Sequence, residues 1–246
     1  MSQYPETADI ETSSEDYASR FSGAAGKWML SVQERIVLDL LKGHAGGTVL
    51  DVGGGHGQLA RPLADKGYGV TVIGSSDDCV HRIKDYVDAG KIEFKVGNLI
   101  ELPFEDNSFG SVVCIRLLPH CERWPELVRE MCRVAKNVVV VDYPTGQSLN
   151  CLSGALFGAK KKIEGNTRTY RLFAHNEVKA EFSGSGWKRA ALKKEFFVPM
   201  VVHRMLGCPV ISKILEGVST ALGLRYLFGS PVVGKYEPLM DANKRE

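Results

Sequence analysis

The chain has 246 residues, 44% apolar and 24% charged, the balance of a folded globular protein, so disorder is excluded over most of its length. Its 31 basic and 29 acidic residues leave a net charge of +2, too even for a protein organised around nucleic acid. The 6 cysteines (Cys79, Cys114, Cys121, Cys132, Cys151 and Cys208) include no Cys-x-x-Cys pair, which argues against a metal site and for free thiols in a reducing cytoplasm. No basic-then-apolar leader opens the chain and no run reaches membrane-spanning length, so neither a secretory signal nor stable membrane insertion is expected.

Met1 to about Asp16 is polar and acidic and reads as a loose arm. From Trp28 to Leu41, apolar residues at Leu30, Ile36, Val37, Leu40 and Leu41 keep helical spacing, and Gly43 ends the run. Strands are expected at Thr48–Val52, Val70–Gly74, Ile92–Val96, Ser111–Ile115 and Asn137–Tyr143. Helices near Gln58–Lys66, Asp78–Ala89 and Pro125–Ala135 lie between them, and this alternation is the signature of a doubly wound, mostly parallel α/β sheet. Two further strands, near Trp187–Val198 and Pro231–Tyr236, are far apart in sequence. Between the strands sit two insertions. One spans Pro144 to about His175, with an apolar helical segment at Leu149–Lys162 that ends in three lysines. The other spans Pro199 to Gly229 and carries one apolar stripe through Ile211, Ile214, Leu215, Val218 and Leu222. Both suggest a covered, apolar pocket, and either allows a homodimer interface.

The first strand runs into Gly53-Gly54-Gly55-His56-Gly57 and then into a helix. Glycines permit positive φ and close backbone approach, and the helix start adds free N–H groups, which suits a nucleotide-like ligand. Asp51 narrows the choice. A carboxylate at the end of the first strand repels a pyrophosphate but suits a cation, whereas a dinucleotide fold keeps its acid at the end of the second strand. The run Asp51-Val52-Gly53-Gly54-Gly55-His56-Gly57 resembles the first motif of the class I S-adenosylmethionine-dependent methyltransferases. Similarity to that family continues to Tyr143 through Gly97-Asn98-Leu99, Glu101 to Phe109, and Arg116 to His120.

The resemblance implies one domain over residues 1–246. Residues 1–45 would form an N-terminal arm and helix, 46–143 the cofactor-binding core, and 144–246 the substrate-side insertions and edge strands. It also implies a seven-stranded sheet with helices on both faces, an antiparallel edge hairpin, and helical insertions after strands five and six. S-adenosyl-L-methionine would be the cofactor. The implied cofactor-binding residues are Asp51, Gly53, Gly54, Gly55 and Gly57 in the loop, Asn98 and Leu99 at the adenine, Arg116 at the methionine end, and Tyr17 with Phe21 as a cover. One departure stands out. The family ends its second strand with an acid that takes the ribose hydroxyls, and here that position is Gly74, leaving Ser75 or Ser76, with Asp77 as a substitute. His56 is expected to point to solvent.

If the acceptor needs a base, His120 and His175 are the imidazoles to test, with Tyr143 orienting the substrate. Arg168 and Tyr170 lie near the expected pocket mouth and are the substrate-binding candidates. The expected activity is methyl transfer to a small, apolar acceptor. The alternatives are a non-catalytic, regulatory relative that binds the same cofactor, or a nicotinamide-dependent oxidoreductase on a Rossmann sheet.

Overall fold

In the computed structural model the described residues are 4–148 and 170–239. The expected segment Leu149–Lys162, Arg168 and Cys151 lie outside them.

Seven strands form one sheet: β1 (Thr48–Val52), β2 (Gly69–Gly74), β3 (Ile92–Val96), β4 (Phe109–Cys114), β5 (Ala135–Tyr143), β6 (Trp187–Lys194) and β7 (Val232–Pro238). Their order is β3-β2-β1-β4-β5-β7-β6. The first five pair in parallel, and β7 lies antiparallel between β5 and β6. The expected doubly wound sheet with an antiparallel edge pair is what the chain forms. The Val138–Val141 run of β5 is buried throughout, as a central parallel strand covered on both faces requires.

Ten helices are described: α1 (Ala8–Thr12), α2 (Glu15–Ser19), α3 (Gly23–Leu41), α4 (Ala60–Asp65), α5 (Lys84–Asp88), α6 (Trp124–Val134), α7 (His175–Gly184), α8 (Met200–Leu206), α9 (Pro209–Ala221) and α10 (Leu224–Phe228). The helix expected at Asp78–Ala89 splits into a 3-10 segment, Asp77–Ile83, followed by α5. α6 shows how a helix covers the sheet. Trp124, Leu127, Val128, Met131 and Cys132 recur at three- and four-residue spacing and are all buried. With Leu50, Val112, Val139 and Phe182 they fill one face of the sheet, while Val37, Leu41, Leu59, Leu63, Val72, Val113 and Val140 fill the other. Four of the described cysteines, Cys79, Cys114, Cys121 and Cys132, are buried free thiols.

Two expectations are corrected. Among the described residues, those from Tyr4 to Glu15 are not a loose arm: they include α1 and the start of α2, and Asp9, Thr12 and Ser13 are buried. Their polarity concealed this, because the segment docks through hydrogen bonds. The Glu6 carboxylate accepts from the Arg123 N–H at 2.8 Å, and Glu15 pairs with Arg82 at 2.7 Å. The second insertion is helical as expected, but its apolar stripe does not roof a pocket. Ile211, Ile214, Leu215, Val218 and Leu222 are exposed.

Candidate cofactor site

β1 ends in a loop that only glycine serves at two places. Gly53 (φ 71°) and Gly57 (φ 73°) are both left-handed and bracket a single 3-10 turn, Gly54–His56. A Cβ on Gly54 would overlap the Asp51 carboxyl group, so the missing side chain lets that carboxyl lie directly beneath the turn. Replacing Gly54 with Ala is expected to displace one of the two. The cost is that of overpacking a filled site, about 1–3 kcal/mol, read as a fall of several degrees in Tm.

Asp51 is fully buried, and neither carboxyl oxygen meets a donor among the described residues. Burial pushes its pKa up to about 7. An orphaned buried carboxyl is costly unless a cation completes it. His56 does not point to solvent as expected. Its Nε2–H donates to the Ile115 carbonyl at 3.3 Å and its Nδ1 accepts from the Gln58 N–H at 3.2 Å. Burial first, then the charge of Arg116, lowers its pKa to about 3, so the ring is a neutral brace holding the loop against the end of β4.

At the end of β2 a carboxylate is present after all, contributed by α1. Asp9 accepts from the Ser75 N–H at 2.6 Å, the Ser75 hydroxyl at 2.5 Å and the Cys79 thiol at 3.2 Å. Cys79 stays a thiol donor because burial, and then Asp9, push its pKa up to about 12. A side chain at position 74 would run into Cys79, whereas Ser75 is buried and turned toward Asp9. Ser76 is a helix cap, accepting from the Asp78 N–H at 3.2 Å, and Asp77 is exposed. Asp9 also lies against Gly53, its Cβ 3.3 Å from where a Cβ on that glycine would be. α1 is therefore the outer wall of the glycine turn.

Beyond β4, Arg116 holds a left-handed backbone (φ 65°), uncommon for a residue with a side chain. Its N–H donates to Asp142 Oδ1 at 2.6 Å, its Nε–H to Gln33 Oε1 at 3.2 Å, and its guanidinium lies 4.1 Å from the Phe21 ring centroid. Tyr17 packs against Phe21 at 5.8 Å between ring centroids. Gln33 of α3 donates to Asp142 Oδ2 at 3.0 Å and to Glu195 Oε1 at 2.7 Å, so one amide bridges two buried carboxyl groups. Burial raises Asp142 to about 6, although Arg116 opposes the shift, and burial with the neighbouring Asp142 charge raises Glu195 to about 8. Glu195 thus keeps its proton at neutral pH. Replacing it with Gln is expected to raise the denaturation midpoint most at pH 9, less at pH 6, and to leave it nearly unchanged at pH 4, because the penalty builds between the unfolded value of 4.5 and about 8.

This geometry is what comparison with known proteins places in a family. Residues 50–140, from β1 to β5, match the model of the methyltransferase domain. Over these residues the chain is similar to the class I S-adenosylmethionine-dependent methyltransferases. It is 29% identical over 126 residues to the 24-methylenesterol C-methyltransferase 2 of Arabidopsis thaliana, covering 49% of this chain and 35% of that protein. It is 28% identical over 201 residues to a ubiquinone/menaquinone biosynthesis C-methyltransferase of Pseudomonas putida, covering 70% of this chain and 77% of that one. The magnesium protoporphyrin IX methyltransferase of Synechocystis, solved with bound S-adenosylhomocysteine, shares the fold at a TM-score of 0.58 and 14% identity, over 85% of this chain and 82% of that one. S-adenosylmethionine is the cofactor of the family.

The methyltransferase site gathers most of the residues singled out in the sequence. Asp51, Gly53, Gly54, Gly55 and Gly57 form the turn and what lies beneath it, Ser75 is bound to Asp9 beside it, and Arg116 meets Phe21, against which Tyr17 packs. Asn98 folds back on its own loop, its Oδ1 accepting from the Ile100 N–H at 3.3 Å, and the Leu99 side chain is in the core. The three expected catalytic side chains do not converge. The Tyr143 hydroxyl and His175 Nδ1 are hydrogen-bonded at 3.2 Å inside the core beside Phe173, and His175 Nε2 is buried with no partner among the described residues. His120 lies elsewhere, its ring 5.6 Å from that of Tyr170, beside a cleft of about 400 Å³ that also includes Pro5, Thr7 and Glu122. Asp9, Gln33, Asp142 and Glu195 were missed. Asp142 carries the one signal that was readable, a carboxylate directly after the apolar run Val138–Val141 near the end of β5.

Proposed function

We propose that this methyltransferase moves a methyl group from S-adenosylmethionine to a small, apolar acceptor in the cytoplasm, without nucleic acid as substrate. The observation that carries the reading is Asp51, a buried carboxyl group with no partner among the described residues, set under a glycine turn of the matching family. When bound, the cofactor supplies a methyl group already activated by a positively charged sulfur.

This chain's own residues then hold and orient. Asp51 takes the cationic amino end, and losing its proton as it does so removes the cost of an unpaired buried charge. Asp9, fixed by Ser75 and Cys79, stands in for the acid missing at Gly74 and would accept from one ribose hydroxyl, using the one lone-pair position those donors leave on Oδ1. The backbone of Leu99 would hold the adenine, and Arg116, clamped by Asp142, Gln33 and Phe21, would close the methionine end. Positioning of this kind supplies most of what a group transfer to an aligned acceptor needs. An apolar acceptor is supported by the relatives, whose names place sterols and quinone precursors among their substrates. The test is transfer of labelled methyl from S-adenosylmethionine into a lipid extract. Label in an organic-phase product with the wild type and none with Asp51→Asn supports the reading. No labelled product from lipid or aqueous extract contradicts it.

A further inference from the structure

α9 is built inside out. The residues it turns toward the protein are Ser212, Glu216 and Ser219, all buried, at the four- and three-residue spacing of one helix face. Its opposite face carries Val210, Ile214, Val218 and Leu222, between 55% and 68% exposed. A soluble helix has the reverse arrangement. Glu216 anchors the inward face: it accepts from the N–H groups of Phe197 (3.0 Å) and Val198 (2.9 Å) and meets His203 Nε2 at 3.1 Å. The Ser219 hydroxyl donates to the Leu215 carbonyl at 2.7 Å, while the buried Ser212 hydroxyl meets no partner among the described residues. The outward apolar face is therefore a stable feature of a well-seated helix. Met205 of α8 (81% exposed) and Tyr226 of α10 (66%) extend the patch to either side.

The charges around this patch have one sign. Between Pro199 and Gly229 the fixed cations are Arg204, Lys213 and Arg225, and the sole carboxylate, Glu216, is the one buried beneath α9. We propose that α8–α10 form a docking surface for an anionic lipid bilayer, with α9 lying in the plane of the interface. Apolar side chains flanked by basic ones, with an aromatic ring at the edge, are what such a surface requires, and two weak signals together hold where one does not. The 13 residues of α9 give it a length of about 20 Å, enough to lie along the headgroup layer but too short to cross it. A second copy of the chain is the less suitable occupant. An isologous dimer through this face would set the basic residues Arg204, Lys213 and Arg225 of one copy against the same basic face of the other, with no exposed carboxylate between Pro199 and Gly229 to offset them. The surface stands apart from the reaction assigned to the glycine turn, and its failure would leave that reading untouched.

The test is co-sedimentation of the full chain with vesicles of phosphatidylcholine alone and of phosphatidylcholine mixed with phosphatidylglycerol, alongside light scattering without lipid. The mixed vesicles should bind ~10-fold or more tightly than the neutral ones, and salt should weaken the difference. Ile214→Asp with Val218→Asp should abolish binding, and Lys213→Glu should cost ~10-fold on the anionic vesicles only. All three substitutions are at exposed positions and should leave the melting curve and S-adenosylhomocysteine affinity unchanged. Equal affinity for both vesicle types, or no binding to either, overturns the proposal. So does a dimer without lipid that Ile214→Asp dissolves, which would assign the face to a second copy.

Discussion

Replacing Asp51 with Asn will lower cofactor affinity by at least ~100-fold and, in the same protein, raise the stability of the ligand-free fold above neutral pH. The affinity loss follows from removing the anion that faces a desolvated ammonium group, an interaction of about 3 kcal/mol or more when one partner of a buried pair is deleted. The stability gain has the opposite sign because of proton linkage. The folded pKa of Asp51 is raised from 3.8 to about 7, so between those values the folded chain binds more protons than the unfolded one. Stability therefore falls as pH rises from about 4 to about 7, and the full penalty, at most about 4 kcal/mol, is in force above that. Asn carries no such penalty. Thermal melts of wild type and variant should nearly coincide at pH 4 and separate by several degrees at pH 8. Parallel pH profiles would mean that Asp51 is solvated or paired in the folded chain. Calorimetric titration of the wild type near pH 6.5 in buffers of different ionisation heat should also show a proton released on binding, which the variant should not.

Removal of Asp9 should weaken cofactor binding by ~10–100-fold, the worth of one hydrogen bond from a ribose hydroxyl to a charged acceptor. Asp9→Ala deletes the carboxylate but keeps the short helix, and the double variant Asp9→Ala, Ser75→Asp returns an acid to the end of β2 from the strand itself. Recovery of most of the affinity in the double variant separates ribose binding from a general loosening of α1. The opposite result is equally informative. If Asp9→Ala binds S-adenosylhomocysteine more tightly than wild type, α1 competes with the ligand for the glycine turn, and Asp9 is a plug.

These two residues also show where sequence reading succeeds and where it stops. Asp51 was legible because its meaning is local: a strand, a carboxylate and a glycine turn within seven positions fix what the turn can hold. The sheet was legible for the same reason, each strand being a short apolar run between turn signals. Asp9 was illegible because its partners, Ser75 and Cys79, are more than sixty residues away, and an acidic, polar opening looks the same whether it docks or not. The Gln33–Asp142–Glu195 bridge joins a helix, a strand end and a loop, and no spacing rule connects them. Helical period revealed the stripe on α9 but not its direction. Only Ser212, Glu216 and Ser219, read as a second stripe on the opposite side, could have shown that the polar face was the buried one.

The central claim is that an unpaired carboxyl group beneath the turn at β1 selects a cationic sulfur cofactor. Isothermal titration of the wild-type chain with S-adenosylhomocysteine, which keeps the ammonium group, tests it most directly. Saturable one-to-one binding that NAD does not displace, lost in Asp51→Asn, is the predicted result. A wild-type chain that gives no heat with S-adenosylhomocysteine, or binds it equally well without Asp51, would contradict the account.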